Sequence, residues 1–324
     1  MKSNICLRDR LCGELRNKLL GRFLGSLLGK EANLRSYALR VFLVLVSGGW
    51  DSTAWGNVFV RDARVQENPA RPILRSVGIL TRVPDDGGWG TAFLVTECHI
   101  ATAYHVAFPA ESNSQRVTPP THPRQHVSEF QIGLTENDPL RFTRRVKATP
   151  VAWGSYDVTW DGLGQDWAIL ELETCVGAEF GFLDVATKTA QEVLQNRAGV
   201  QRLAMLGFPA SRYDQPGISV ERDCSARALN GDASMQPPKP VPSLLPIDCA
   251  LEVGASGGPL LMPIKNTQNI EEWFVVGMAS REFRPEDRVI PAWNVRHANI
   301  AISSSAFIRA IQNLPCKSAA CRSR

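Results

Sequence analysis

The sequence predicts an all-β protein, and three observations carry that reading. Short apolar segments recur from residue 76 onward, Gly, Pro and Asp punctuate them at close intervals, and only two stretches of that part carry a helical pattern. The composition is that of an ordinary globular chain able to bury a core, with 324 residues, 44% hydrophobic and 21% charged.

Taken in order, the strand candidates are SVGILTR (76–82), GTAFLVT (90–96), CHIATA (98–103), RRVKATPVAW (144–153), DWAILELE (166–173), QRLAMLGF (201–208), GGPLLM (257–262) and EEWFVVGMAS (271–280). Several short strands between turn signals argue a sandwich or a barrel. One helix is predicted over 186–197, and a second over 303–314, where a serine start is followed by Phe307, Ile308 and Ile311 on one apolar face. Proline content marks 117–125 and 236–246 as surface loops inserted within one unit, the second near enough in sequence to Ser256 to cover it. No internal repeat is evident.

Charge is unevenly distributed. Residues 1–47 hold nine Lys/Arg against three Asp/Glu, leaving 27 basic and 29 acidic residues in the remainder. That near-neutral body has no basic run interleaved with aromatics, so no nucleic-acid partner is expected. Within the basic N-terminus a short apolar core, 41–46, follows Arg40, and small residues come next, the order of a secretory signal. A spanning helix needs about 20 apolar residues, so no stable membrane span is expected. Ala54 and Gly56 suggest cleavage after Gly56. Leu11, Leu15, Leu19, Phe23 and Leu27 recur every four positions, which keeps a transit peptide, a membrane-surface helix or an upstream start codon open.

Of eight cysteines, Cys6 and Cys12 would leave with such a leader, and the remaining six suit an oxidising compartment, hence a secreted or periplasmic location. Cys224 with Cys249 is the preferred pair, and Cys316 with Cys321 would close the tail. Cys98 and Cys175 stay open between a disulfide and buried thiols. There is no Cys-x-x-Cys among the six. His122 and His126 are separated by Pro123 in a loop, and His99 and His297 lack partners at metal-ligand spacing, so neither metal nor cofactor is expected.

Chemistry concentrates in GASGGPL (254–260), where Ser256 is boxed by glycines. His105 in IATAYHVAF and Asp166 at the head of DWAILEL precede it. Asp157 and Asp161 lie close to Asp166, but Asp166 alone leads directly into an apolar strand. Histidine, aspartate, serine is the chain order of one class of nucleophilic hydrolases.

Through GWGTAFLV, TAYHV, DWAILEL, LGFPA, GASGGPL and VVGMAS the chain resembles trypsin-like (chymotrypsin-fold) serine endopeptidases, nearer the secreted bacterial glutamyl-endopeptidase-like branch, over 57–315. The resemblance implies two Greek-key β-barrels with the site between them and a C-terminal helix. It divides the chain into a leader (1–56), a peptidase domain (57–315) and a short tail (316–324). It also implies roles, which follow the worked template for this class: Ser256 as nucleophile, His105 as general base and acid, Asp166 holding the imidazole, and the backbone N–H groups of Gly254 and Ser256 as oxyanion hole. Ser280 would bond the aspartate, and the strand around Ser280 to Glu282, Arg281 included, would pair with a protein or peptide substrate.

Departures from that pattern are informative. Ala255 stands where zymogen-type trypsins carry an aspartate for the freed N-terminus, and Val106 replaces the cysteine after the histidine. Ala250 and Ala279 occupy positions that select charged side chains elsewhere, with Asp248 off register, so a small or apolar residue before the scissile bond is expected. The competing reading is a binding or regulatory protein that keeps the fold without cutting. A chaperone-type protease, which would carry a peptide-binding domain after the barrels, is not expected. The oligomeric state is not set by the sequence.

Overall fold

The computed structural model describes residues 58–315 apart from 60–61, 84–88, 109–125, 136–137, 157–158, 196–201, 213–214, 216, 229–240, 266, 283–288, 291–292 and 294–296. The leader, the 117–125 loop, His122, Cys316 and Cys321 lie outside the described residues. Two short strands, β1 (Val58–Phe59) and β2 (Val65–Glu67), and a helical turn α1 (Pro72–Arg75) come first. β3 (Val77–Val83), β4 (Trp89–Leu94), β5 (His99–Thr102), α2 (Tyr104–Ala107), β6 (Val127–Thr135), β7 (Asp138–Trp153), α3 (Trp160–Leu163) and β8 (Ala168–Leu172) follow. These six longer strands form a closed barrel in the order β3-β4-β5-β8-β7-β6, every neighbour antiparallel.

After α4 (Gly177–Phe180) and α5 (Ala190–Gln195), the chain builds β9 (Leu203–Gly207), β10 (Ile218–Cys224), β11 (Leu244–Ile247), β12 (Pro259–Lys265), β13 (Glu271–Glu282), β14 (Val289–Ile290) and β15 (Asn299–Ser303), and then α6 (Ile308–Gln312). The second sheet runs β11-β15-β13-β12-β9-β10-β2, and a bridge between Ala226 and Ile247 joins the β10 side back to β11. Read from β9, its order is β9-β10-β11-β15-β13-β12, the same first-second-third-sixth-fifth-fourth path as the first barrel. The protein is therefore two Greek-key β units of one topology.

Side-chain pattern explains which strands were legible. Phe93, Ile79 and Ile169 from the first barrel pack with Leu261, Val275, Met278 and Ile302 from the second in one shared core. Their strand neighbours Leu80, Leu94, Ile100 and Leu170 fill the first barrel, while Leu260, Met262, Val276 and Ala301 fill the second. Strands buried on both faces read as continuous apolar runs rather than alternations. β6 is the opposite case: Phe130, Ile132 and Leu134 point in while the residues between them are half exposed, a strict alternation that the list of apolar runs omitted.

Three local expectations are corrected. The helix expected over 186–197 begins only at Ala190, because Thr189 caps it: Glu192 N–H donates to Thr189 Oγ1 (3.2 Å) and Thr189 N–H to Glu192 Oε2 (2.8 Å), a capping box. Ala186 is held extended by its N–H on Val275 O. The expected loop over 236–246 ends in a buried strand, β11, paired with β15 through Leu244, Leu245 and Pro246. The C-terminal helix expected over 303–314 splits into a 3-10 turn, Ser304–Ala306, and α6. Among the described residues two disulfides form, Cys224–Cys249 as preferred and Cys98–Cys175, which had been left open.

Candidate active site

Strand pairing brings His105 and Asp166 together. β5 and β8 are antiparallel with Thr102 opposite Ala168, so the residues just after β5 and just before β8 meet at one end of the barrel. His105 sits there on α2, which starts after the extended Ala103, and Asp166 sits two residues before β8. The carboxylate is fully buried. It accepts from His105 Nδ1 (2.9 Å to Oδ2, 3.1 Å to Oδ1) and from the His105 backbone N–H (3.1 Å). Ser280 Oγ also donates to it. Burial alone would raise the Asp166 pKa, but the charge and hydrogen bonds of His105 and the Ser280 hydroxyl outweigh it and hold the carboxyl below its ordinary range. The ring is thereby fixed with Nδ1 on the carboxylate and Nε2 free to face the cleft.

Ser256 arrives from the other barrel by the same logic. β12 and β13 pair with Pro259 opposite Met278, which places the residues preceding β12 beside Ser280. Gly257 N–H donates to Ala279 O (2.8 Å), Ala279 N–H to Gly258 O (2.8 Å), and Ser256 Oγ to Ser280 O (3.1 Å). The serine hydroxyl is thus turned onto a strand carbonyl rather than onto His105. Gly254 and Gly257 have φ of +90° and +83°, and a Cβ on Gly254 would lie 2.5 Å from Phe208 O, so only glycine fits this loop. Neither the Gly254 nor the Ser256 N–H has a protein acceptor among the described residues.

Thr91 ties the two barrels together at this point. Its N–H donates to Ser256 O (2.8 Å), its hydroxyl to Gly254 O (2.8 Å), and the Phe208 N–H donates to that hydroxyl (3.0 Å). A cavity of about 430 Å³ opens over His105, Gly254 and Ser256, with Arg82, Arg281 and Glu282 on its walls. Tyr156 lies between the His105 ring (5.2 Å) and the Arg281 guanidinium (5.2 Å). Burial pushes up both the Tyr156 hydroxyl and the Glu282 carboxyl.

The structure brings together His105, Asp166, Ser256, Gly254, Ser280 and Arg281. It does not bring Ala250 and Ala279 to the cleft wall in the way expected: both are buried, and the Ala250 N–H donates to the buried Glu221 carboxylate. Thr91, Tyr156 and Glu221 were missed. Tyr156 and Glu221 stand in no motif, Thr91 stands inside GWGTAFLV with no sign of its part, and only the folding of distant strands gives them a place here.

Two Greek-key barrels of one topology, with the candidate residues gathered from both, define the chymotrypsin-type fold of trypsin-like serine proteases. No protein-family model matches the chain, and no curated protein matches it in sequence. Solved structures do. A Glu endopeptidase in complex with MPD is similar at a TM-score of 0.50 and 15% identity, covering 79% of this chain and 97% of that one. A serine endoprotease from Yersinia pestis is similar at a TM-score of 0.42 and 14% identity, covering 75% of this chain and 63% of that one.

Proposed function

We propose that this protein is an exported serine endopeptidase that hydrolyses peptide bonds through an acyl-enzyme. The observation that supports it is a buried carboxylate, an imidazole fixed on it and a glycine-boxed serine in one cleft, with two N–H groups beside the serine that no described protein group uses. A free serine hydroxyl is a weak nucleophile, so His105 Nε2 takes its proton as Oγ attacks the carbonyl and returns it to the leaving amine. Asp166 holds the tautomer and stabilises the imidazolium. Gly254 and Ser256 N–H groups stabilise the oxyanion, each such donor contributing about 2.7 to 4 kcal/mol.

Ser280 has two parts in this reading. Its hydroxyl orients Asp166, and its carbonyl holds the Ser256 hydroxyl until a substrate strand arrives along Ser280–Glu282. A substrate N–H donating to that carbonyl competes with the serine, which then turns by χ1 rotation towards His105. The peptidase unit is taken as 57–315, and export is inferred from the leader pattern together with the two disulfides. Arg281 and Glu282 line the cleft beside Ser280, along the strand taken to receive the substrate.

The test is fluorophosphonate labelling of purified, oxidised protein from residue 57 onward, with mass spectrometry to locate the adduct. A single adduct on Ser256, lost in Ser256→Ala, is the expected result. Absence of any adduct on folded protein would return the chain to the non-catalytic reading.

A further inference from the structure

Four residues before the candidate nucleophile, Glu252 is buried at 2% exposure, an unusual setting for a carboxylate. Its partner comes from the start of the described chain: Arg64 Nη1 lies 3.0 Å from Glu252 Oε2 and is itself only 7% exposed. The same guanidinium donates from Nε and Nη2 to both oxygens of Asp62 (2.8 and 2.9 Å), and Arg212 Nη2 donates to Asp62 Oδ2 (2.7 Å). The other Glu252 oxygen accepts the Ser211 N–H (2.9 Å) and the Ser211 hydroxyl. Main-chain bonds carry this anchor into the loop, with Ala255 N–H on Glu252 O (3.0 Å) and Ala210 N–H on Val253 O (2.8 Å). Register explains the reach. β2 pairs antiparallel with β10, Val65 opposite Val220, so Arg64 enters opposite Glu221, whose carboxylate holds the Ala250 N–H at the other end of the same loop.

A buried ion pair is weak evidence for stability, since apolar residues of equal volume often serve as well. It does restrict geometry, because a planar guanidinium hydrogen-bonded to both oxygens of Asp62 and held 3.0 Å from Glu252 Oε2 admits few arrangements. We propose that Arg64 is a positioning residue: by clamping Glu252 from the N-terminal segment it sets the 252–256 backbone so that the Gly254 and Ser256 N–H groups converge on one point. This rests on the function proposed above. It follows that trimming the chain past Arg64 disables the site.

Arg64→Ala, Arg64→Lys and Glu252→Gln are compared with the unaltered protein, and Arg71→Ala serves as control, since Arg71 makes an exposed ion pair with Glu67 on the same segment. The measurements are kcat and KM on a peptide substrate, hydrogen exchange of 250–256, and circular dichroism. Arg64→Ala is expected to lower kcat about 10- to 100-fold with KM changed by less than about 3-fold, as for a misplacement of order 1 Å. Exchange of 250–256 should rise, and millimolar ethylguanidinium, but not sodium chloride, should restore kcat. Should Arg64→Ala not fold, Arg64→Lys and Glu252→Gln carry the same comparison. Folded variants with unaltered kcat and unaltered exchange, or a kcat loss that no guanidinium repairs, would overturn the proposal. If the unaltered protein neither labels nor cuts, the peptidase reading fails, and the exchange of 250–256 in the variants still decides whether Arg64 positions the loop.

Discussion

The two barrels share a strand order but secure their contributions to the cleft by different means. The first is closed by hydrogen-bonded ladders all round, and its two candidate residues lie at adjoining ends of paired strands, so closing the barrel is enough to join His105 to Asp166. The second is closed between β10 and β11 by one bridge and the Cys224–Cys249 disulfide, and it recruits β2 as an additional strand. Its serine sits on a long loop held by buried Glu252 and Glu221, by Arg64 from far upstream and by Thr91 of the other barrel. Where a ladder positions a residue, few side chains are needed. Where a loop does, charged and hydroxyl groups must supply the constraint, and that half of the site is the more sensitive to distant substitution.

The strongest test removes one group from each half. Ser256→Ala should lower kcat on the order of 10⁶-fold, and Asp166→Asn about 10⁴-fold, with both proteins folded. A peptide assay on the two variants measures this, and an Asp166→Asn protein with undiminished kcat would strip the first barrel of its proposed part. The disulfides come next. Cys98–Cys175 closes 77 residues and Cys224–Cys249 closes 25, so chain entropy puts their contributions at about 4.5 and 3.5 kcal/mol. Denaturant titration of the Cys→Ala pairs should follow that order. If the comparison holds, activity measured well below the unfolding midpoint should fall only when the smaller loop is opened.

Glu221 offers a test by pH. Burial pushes its carboxyl from the ordinary 4.5 up to about 7, against the opposing pull of the Ala250 N–H and Arg64. The folded state therefore holds a proton that the unfolded state has released, and this contribution to stability is complete below pH 4.5 and lost as pH rises through 7. Glu221→Gln keeps an acceptor for Ala250 and removes the charge. It should stabilise the protein by no more than about 3 kcal/mol at pH 8 and leave stability at pH 4.5 unchanged, as read by thermal unfolding at the two pH values. A gain that is equal at both would show that the charge is not the cause. The smallest effect is expected for Thr91→Val, which strands the Phe208 N–H and frees Gly254 O for about 1 to 2 kcal/mol of stability. If the second barrel depends on the first as described, calorimetry should show that loss accompanied by a drop in kcat.

Legibility divided along the same line. The apolar runs that marked β3, β4, β5, β8, β9, β12 and β13 are strands covered on both faces, and the glycine box, the histidine and the aspartate each stood in a local motif. The β6 alternation was present but unread, because attention to continuous runs passes over a half-exposed strand. The buried ends of β11 and β15 were hidden by proline and by brevity. Arg64, Glu221, Glu252 and Tyr156 look like ordinary surface residues in one dimension, since a charge or phenol in a short polar context carries no sign of where it will be buried.

The sequence by itself determined the all-β class and the three candidate residues His105, Asp166 and Ser256, because period, turn chemistry and a glycine-rich loop are local properties of the chain. Only the tertiary structure decided that the two units follow one topology, that Cys98 meets Cys175 and Cys224 meets Cys249, that Ala250 turns inward, and that the nucleophile loop is braced from the N-terminal segment. Those outcomes depend on register between strands tens of residues apart and on which charges lose their water together, and both are settled by the packing of the whole chain.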